Sequence, residues 1–98
     1  RVSDIPRALD VVFAREGDKF EGYCSHLSPI QFKLIVSMAG LGLTNLQSAE
    51  FLRRSGISNA ASVRRALSRL AELRYVYRHR NEWKFNSAFF KSWLRRYV

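Results

Sequence analysis

The chain of 98 residues contains little that could join its parts covalently or through a metal ion. Its one cysteine, Cys24, cannot form an internal disulfide, and a lone thiol fits a reducing compartment. Cys24 and His26 are the only soft metal ligands close together in the sequence, and two such ligands do not make a zinc site. We therefore expect neither a disulfide nor a bound metal.

Long apolar runs and targeting signals are also missing. No run of 18 apolar residues occurs, so we expect no transmembrane span and no membrane partner. The apolar segment and cleavage site of a secretory signal are absent, which favours a cytoplasmic location. The chain begins with Arg1 instead of methionine, so we expect it to be part of a longer protein.

Motifs of catalysis and nucleotide binding are absent as well. There is no Gly-x4-Gly-Lys-Ser/Thr loop and no dinucleotide-binding fingerprint. Neither histidine has an acid and a nucleophile at a recognisable spacing. We therefore expect this chain not to be an enzyme and to need no cofactor of its own.

Acidic residues are scarce in the second half of the chain. Residues 1–49 hold five basic and five acidic residues, whereas residues 50–98 hold twelve basic and three acidic ones. The net charge of +9 therefore resides in the second half, which favours a polyanionic partner such as DNA, RNA or anionic lipid. The alternative is that these arginines only solvate exposed helix faces. A hydrophobic share of 47% argues against disorder and for one small folded domain.

The stretch from Ser58 to Leu73 predicts an amphipathic helix. Apolar residues recur along it at spacings of three and four: Val63, Ala66, Leu67, Leu70 and Leu73. At about 100° per residue, Ala61, Arg65, Ser68 and Glu72 point away from that face, with Ser62, Arg64 and Arg69 on its flanks. A helix ending near Arg54 and a turn at Ser55–Ser58 precede it, with Gly56 left-handed and Ile57 in the core. This order is typical of a helix-turn-helix.

The residues before this motif predict further helices. Residues 4–26 are expected to form one helix, or two if Gly17 and Asp18 break it. Ser28-Pro29-Ile30-Gln31 predicts a capping box, and the following helix would end at Gly40 and Gly42. The expected buried stripe of that helix is Ile30, Leu34, Ile35, Met38 and Leu41. We predict a connector helix in residues 1–27 and a folded domain in residues 28–98.

After Leu73 the residue types favour a short hairpin. Tyr75-Val-Tyr77 and Trp83-Lys-Phe85 favour strand, and Asn81-Glu82 is the expected turn between them. Four cationic or titratable residues would lie near its tip: Arg78, His79, Arg80 and Lys84. A basic hairpin beside a recognition helix would be a wing that contacts phosphates or the minor groove. The alternative is a plain solvated hairpin.

A last helix, capped by Ser87, carries much aromatic surface. Its apolar residues are Phe89, Phe90, Trp93, Leu94 and Tyr97. They would close the core, or else Phe89, Phe90 and Trp93 would form a docking face for a neighbouring domain or a second copy in a homodimer.

The predicted fold class is mainly α with a small β-hairpin, a winged helix-turn-helix. The predicted function is low-specificity binding of duplex DNA through the basic helix 59–73 and the wing 76–85. Ala61, Ser62 and Arg65 would face base edges, Arg65 with a bidentate contact to guanine. The predicted phosphate contacts are Arg64, Arg69, Arg78, Arg80 and Lys84. The alternative is a protein-docking or regulatory module that does not bind DNA.

Several stretches resemble a known domain: Leu27-Ser-Pro-Ile-Gln-Phe-Lys-Leu-Ile35, Glu50-Phe-Leu-Arg-Arg-Ser-Gly-Ile-Ser58, Ala61-Ser-Val-Arg-Arg-Ala-Leu-Ser-Arg-Leu70 and Phe89-Phe90-Lys-Ser-Trp93-Leu94. They resemble the winged-helix domain that follows the nucleotide-binding domain in a prokaryotic AAA/STAND-type P-loop ATPase family of archaea and bacteria. That family usually has Asp-Pro before the aromatic pair, where this chain has Asn86-Ser87-Ala88. The resemblance implies an upstream ATPase domain as a partner in the same chain. ATP and Mg²⁺ would belong to that domain.

Overall fold

A computed structural model describes the backbone of residues 4–98 and the side chains of residue 11 and residues 13–98. The described part contains, in order, α1 (Asp4–Ser25), α2 (Pro29–Leu41), α3 (Ala49–Ser55), α4 (Ala60–Glu72), β1 (Val76–His79), β2 (Glu82–Phe85) and α5 (Ala88–Tyr97). The two strands form one antiparallel hairpin. The predicted fold class, mainly α with a small hairpin, is confirmed.

The first segment is one continuous helix of 22 residues. It passes through Gly17 without a break, because a single glycine costs a helix only about 1 kcal/mol and packing against α5 offsets that cost. Phe13 meets Tyr97 with ring centroids 5.5 Å apart, and Phe20 meets Phe90 at 5.3 Å, so α1 and α5 run antiparallel. Ile5, Leu9 and Val12 lie on the helical repeat of α1 but outside the described side chains.

The start of α2 is fixed by the predicted capping box. The Ser28 hydroxyl accepts from the Gln31 N–H at 3.2 Å, and the Gln31 side-chain oxygen accepts from the Ser28 N–H at 3.0 Å. Pro29 occupies the first helical position, where its missing N–H has no helical partner to lose. The helix runs through Gly40 and stops only at Gly42, whose φ of 116° is left-handed.

The centre of α2 is the centre of the core. Leu34, Ile35 and Met38 are fully buried, and the helix packs against α3, α4 and α5. The predicted stripe was too long at both ends, because Ile30 is 42% exposed and Leu41 is 37% exposed. Their positions in the first and last turns reach past the elements that cover the middle of α2.

The short helix α3 and the turn to α4 follow the predicted chemistry. Ser48 caps α3 by accepting from the Phe51 N–H at 3.1 Å. Gly56 has a left-handed φ of 78°, and its N–H donates to the Leu52 carbonyl at 3.1 Å. Ile57 is 4% exposed and fills the core beneath the turn. Asn59 then caps α4 by accepting from the Ser62 N–H at 2.8 Å.

The end of α4 closes without a glycine. The Tyr75 N–H donates to the Leu70 carbonyl and the Arg74 N–H to the Ala71 carbonyl, both at 3.0 Å. This pair of bonds is a Schellman motif, which needs a left-handed residue at its centre. Arg74 fills that position with φ 65°.

The hairpin turn differs by one residue from the predicted one. His79 pairs with Glu82, so the turn residues are Arg80 and Asn81, not Asn81 and Glu82. Both have left-handed φ, 51° and 66°, as a type I′ turn requires. The register follows from burial: Val76 is 1% exposed and pairs with Phe85, which directs both side chains to the core.

The aromatic side chains of α5 form the core, which corrects the predicted docking face. Phe90 is 1% exposed, and the centroid of its ring lies 6.3 Å from the ring centroids of both Phe85 and Trp93. Trp93 is 7% exposed, whereas Phe89 is 48% exposed. Phe90 and Trp93 are therefore structural residues, because α1, α2 and β2 cover the face on which they lie. Of the three predicted docking residues, Phe89 alone is accessible.

Candidate nucleic-acid interface

The helix α4 divides cleanly into a buried and an exposed side. Its buried residues, between 0% and 5% exposed, are Val63, Ala66, Leu67 and Leu70, and this side packs on α2. Its exposed residues are Arg64, Arg65, Ser68, Arg69 and Glu72. Ala61 is half-buried in the first turn. Three guanidinium groups therefore stand on the outward surface of one helix.

One predicted base-facing residue is in the wrong place. Ser62 is 7% exposed, and its hydroxyl accepts from an Arg65 Nη at 3.5 Å. The first turn of α2 covers this flank, since Ser28, Ile30 and Gln31 line a groove of about 170 Å³ together with Ser62 and Arg65. Ser62 therefore lies nearly buried beside the first turn of α2, and it is not on the outward face of α4.

Two residues outside the predicted site share the outward face of α4. Ser68 is exposed and points the same way as Arg65, and Glu72 lies one turn farther along. The helical spacing places both directly opposite the buried side. That spacing is the signal by which Ser68 should have been preferred to Ser62 as a base-facing residue.

The acids of the second half each lie beside a basic residue. Glu50 pairs with Arg54 at 3.8 Å, and Glu72 with Arg69 at 3.9 Å. Glu82 pairs with Lys84 at 3.9 Å. All six side chains are at least 44% exposed, and such surface pairs contribute only about 0–1 kcal/mol. Arg69 and Lys84 are therefore free to exchange these carboxylates for another anion.

The hairpin does not present its predicted cations on one face. Arg78 shares a face with buried Val76 and with its pairing partner Trp83, and its guanidinium donates to the Asn81 side chain at 3.0 Å. Lys84 pairs with Tyr77 on the opposite, outer face. Arg80 is exposed in the turn between them. A single surface can therefore contact Arg80 with either Arg78 or Lys84, but not all three.

The hairpin lies beside α4. Asn81 and Trp83 line a groove of about 410 Å³ whose other walls are Leu67 of α4 and residues 43–47. On α4, Arg64 is three residues before Leu67 and lies on the same flank, one turn away. The exposed side of α4 and the hairpin tip therefore border the same part of the surface.

Cys24 and Tyr75, whose pKa values are shifted, do not provide a reactive group at this surface. Burial, with a smaller contribution from Glu21, raises the pKa of Cys24 and keeps it protonated. Burial likewise raises the pKa of Tyr75, whose hydroxyl donates to the Tyr23 carbonyl at 3.3 Å. Within the described residues, no three of the His, Cys, Asp and Glu side chains group in a way that could hold a metal ion. No helix in that part is both long and apolar enough to cross a membrane.

Residues 18–96 match the model of a family described as "Probable winged helix domain". The chain belongs to this winged-helix family. No curated protein and no solved structure matches it significantly. In this fold α2, α3 and α4 are the three helices of the winged helix, and the hairpin 76–85 is the wing. The helix α4 occupies the position that is called the recognition helix in a helix-turn-helix.

The family match agrees with the observed fold and does not identify a specific function. It begins at Asp18, inside α1, so the last third of that helix belongs to the matched region together with nearly all of α5. Winged-helix domains in general bind nucleic acid or protein. The choice between these two must come from the surface of this particular chain.

Proposed function

We propose that this winged-helix domain binds duplex DNA with low sequence specificity. One observation carries the proposal: Arg64, Arg65 and Arg69 are exposed together on the recognition helix, beside the wing. The major groove admits an α-helix, and arginine is the side chain that most often contacts its base edges. The charge of the second half, twelve basic against three acidic residues, supports a polyanion as partner.

The first half of α4 would enter the groove more deeply than its second half. Arg65 can donate two parallel hydrogen bonds to guanine, while Ala61 and Ser68 are small enough to let the helix backbone approach. Glu72 stands on the same outward face near the end of the helix and would repel phosphates. A single base-reading arginine gives little discrimination, which is why the proposal is low specificity.

The phosphate contacts would come from both elements. Arg64 and Arg69 flank the outward face of α4, and Arg80 lies at the wing tip. Arg78 or Lys84 would add one contact, depending on which face of the wing meets the DNA. Neutralising about four phosphates predicts that log affinity falls with log salt at a slope of about −3 to −4.

The test is a fluorescence anisotropy titration of a labelled 20-base-pair duplex at 50 and 200 mM salt. We expect a dissociation constant below about 10⁻⁴ M at 50 mM salt, with the steep slope given above. Arg65→Ala with Arg69→Ala should weaken binding by about ten- to a hundredfold and flatten the slope by about 1, because Arg69 is the phosphate contact of the two. Lys91→Ala with Arg95→Ala is the control, because it removes the same charge from α5.

Two outcomes would contradict the proposal. Wild-type affinity weaker than about 10⁻⁴ M at 50 mM salt is poorer than that of ordinary non-specific DNA-binding proteins. Equal losses in the α4 and α5 double variants would mean that net charge alone, and not the recognition helix, attracts the duplex.

A second candidate is a protein-docking module, for which exposed apolar residues provide the support. Val11, Tyr97 and Val98 are each more than 50% exposed where α5 ends beside α1, and Phe89 is 48% exposed at the start of α5. The partner would be the upstream ATPase domain that the family resemblance implies, and ATP and Mg²⁺ would bind there. This candidate predicts no measurable duplex affinity. A Gly-x4-Gly-Lys-Ser/Thr loop upstream of Arg1 would confirm the ATPase parent, which either candidate function can have.

A further inference from the structure

Two arginines occupy backbone positions that suit other residues better. The described part of the chain has four non-glycine residues with left-handed φ: Asn45 at 55°, Arg74 at 65°, Arg80 at 51° and Asn81 at 66°. In every residue but glycine this conformation crowds the Cβ against the following carbonyl oxygen, and asparagine tolerates it best because its short polar side chain can hydrogen-bond to the nearby backbone. Arginine has the same crowding without that compensation. Of these four positions, the two without asparagine are therefore the less favourable ones, and both are occupied by arginine, Arg74 and Arg80. They bracket β1, with Arg74 two residues before it and Arg80 directly after it.

Neither side chain is needed to build its turn. The Schellman motif around Arg74 uses backbone groups, and the Asn86 side-chain amide donates to the Arg74 carbonyl oxygen. The Asn86 N–H also donates to the Tyr75 carbonyl at 3.1 Å, so the turn is held from both directions. In the described structure, the guanidinium groups of Arg74 and Arg80 make no hydrogen bond or ion pair. Glycine at either position would preserve every one of these backbone bonds.

Strained residues persist where function requires their side chains, because the surrounding structure can hold them in place. Arg74 and Arg80 are both exposed, and they border the strand that follows the recognition helix. We propose that Arg74, at the base of the hairpin beside Asn86 and Ser87, is a DNA-phosphate contact just beyond the end of α4. Arg80 makes the corresponding contact at the wing tip, at the other end of β1. This inference rests on the proposed function, to which it adds a residue.

A purely structural explanation makes the opposite prediction about stability. A cation just beyond the end of α4 interacts favourably with the helix dipole, so Arg74 would then stabilise the fold. If that effect were the reason for arginine, glycine at this position would lower the melting temperature. If the side chain is held there for a ligand, glycine relieves strain and raises it.

The experiment compares Arg74→Gly and Arg80→Gly with the wild-type chain in thermal melts and in the duplex titration. We expect each variant to melt about 4 °C higher, since relieving modest strain shifts a domain of this size by that order. Each should bind duplex about three- to tenfold more weakly at 50 mM salt, with a salt slope about 0.9 flatter. Arg95→Ala on α5 is the charge-matched control and should change affinity by less than about twofold.

Higher melting temperature together with weaker binding supports the inference. It is overturned if Arg74→Gly binds as the wild type does, if Arg95→Ala weakens binding equally, or if the melting temperature fails to rise. If the wild-type chain does not bind duplex, the proposed function itself has failed. If Arg65→Ala with Arg69→Ala weakens binding and Arg74→Gly does not, the failure belongs to this inference alone.

Discussion

The helices α4 and α5 look alike in sequence and differ in what their charges can do. Each is short and amphipathic, and each carries three basic residues: Arg64, Arg65 and Arg69 on α4, and Lys91, Arg95 and Arg96 on α5. Both direct their apolar sides to α2, so their outward faces point away from it in different directions. The wing adjoins α4, whereas Phe89 is exposed in the first turn of α5.

The basic residues of α4 and α5 differ in their neighbouring side chains. On α4 the neighbours on the outward face are Ala61 and Ser68, which leave room for a bulky partner. On α5 the Arg96 guanidinium lies 5.7 Å from the centre of the Phe13 ring and 5.6 Å from that of Tyr97. Such cation–π contacts use the charge for packing within the domain. The two helices therefore carry the same number of basic residues, but α4 has the more open surface for an anionic partner.

The largest effect should come from the buried side of α5. Phe90→Ala should lower the free energy of unfolding by about 3–5 kcal/mol, because it removes a ring that packs against Phe20, Tyr23 and Trp93. Phe89→Ala, one residue away but exposed, should change it by less than about 0.5 kcal/mol. Urea denaturation followed by tryptophan fluorescence measures both. Similar losses in the two variants would show that α5 is not divided into a core side and a free side.

A charge of the wrong sign should distinguish the outward faces of the two helices. Ala61→Glu places a carboxylate on the proposed DNA-facing surface and should weaken duplex binding by about tenfold or more. Ala88→Glu makes the same change in the first turn of α5 and should leave binding nearly unaltered. Both variants place an acid near a helix N-terminus, where it is favourable, so neither should destabilise the fold. A loss of binding in Ala88→Glu would place α5 in the interface as well.

The smallest effect should come from removing the negative charge of Glu72, which would repel DNA phosphates from the end of α4. Glu72→Gln removes the acid at the end of the outward face and releases Arg69 from its 3.9 Å ion pair. Duplex affinity at 50 mM salt should rise about threefold, and stability should change by less than about 0.5 kcal/mol. The anisotropy titration measures the first quantity and urea denaturation the second. Weaker binding in this variant would mean that Glu72 accepts a hydrogen bond from the duplex or orients Arg69.

Short-range chemistry made much of the fold predictable from the sequence. The caps at Ser28 and Ser87 and the left-handed Gly56 were predicted correctly, because each depends on hydrogen bonds within three or four residues. The periodicity of α4 likewise identified its buried side. These features require no knowledge of what packs against the helix.

The incorrect predictions concern residues whose exposure or pairing depends on segments that are distant in the sequence. Ser62 was predicted to be accessible, but the first turn of α2 covers it. Phe90 and Trp93 were predicted as docking residues in one alternative, but α1 buries them against β2 and α2. The hairpin turn moved by one residue because burial of Val76 sets the strand register, and the residues around the turn do not. Helical spacing cannot show which flank a neighbouring element will cover.

The bonds from Asn86 to the two residues before β1 have a consequence for how this domain could vary. They join the two ends of the hairpin at its base, so the residues beyond the base form a loop whose ends stay fixed whatever its length. Insertions between His79 and Glu82 would cost little, since closing a longer loop adds well under 1 kcal/mol for each doubling of its length. The wing is thus a replaceable segment on a constant helical scaffold, and it is where new sequence preference could be engineered into the domain.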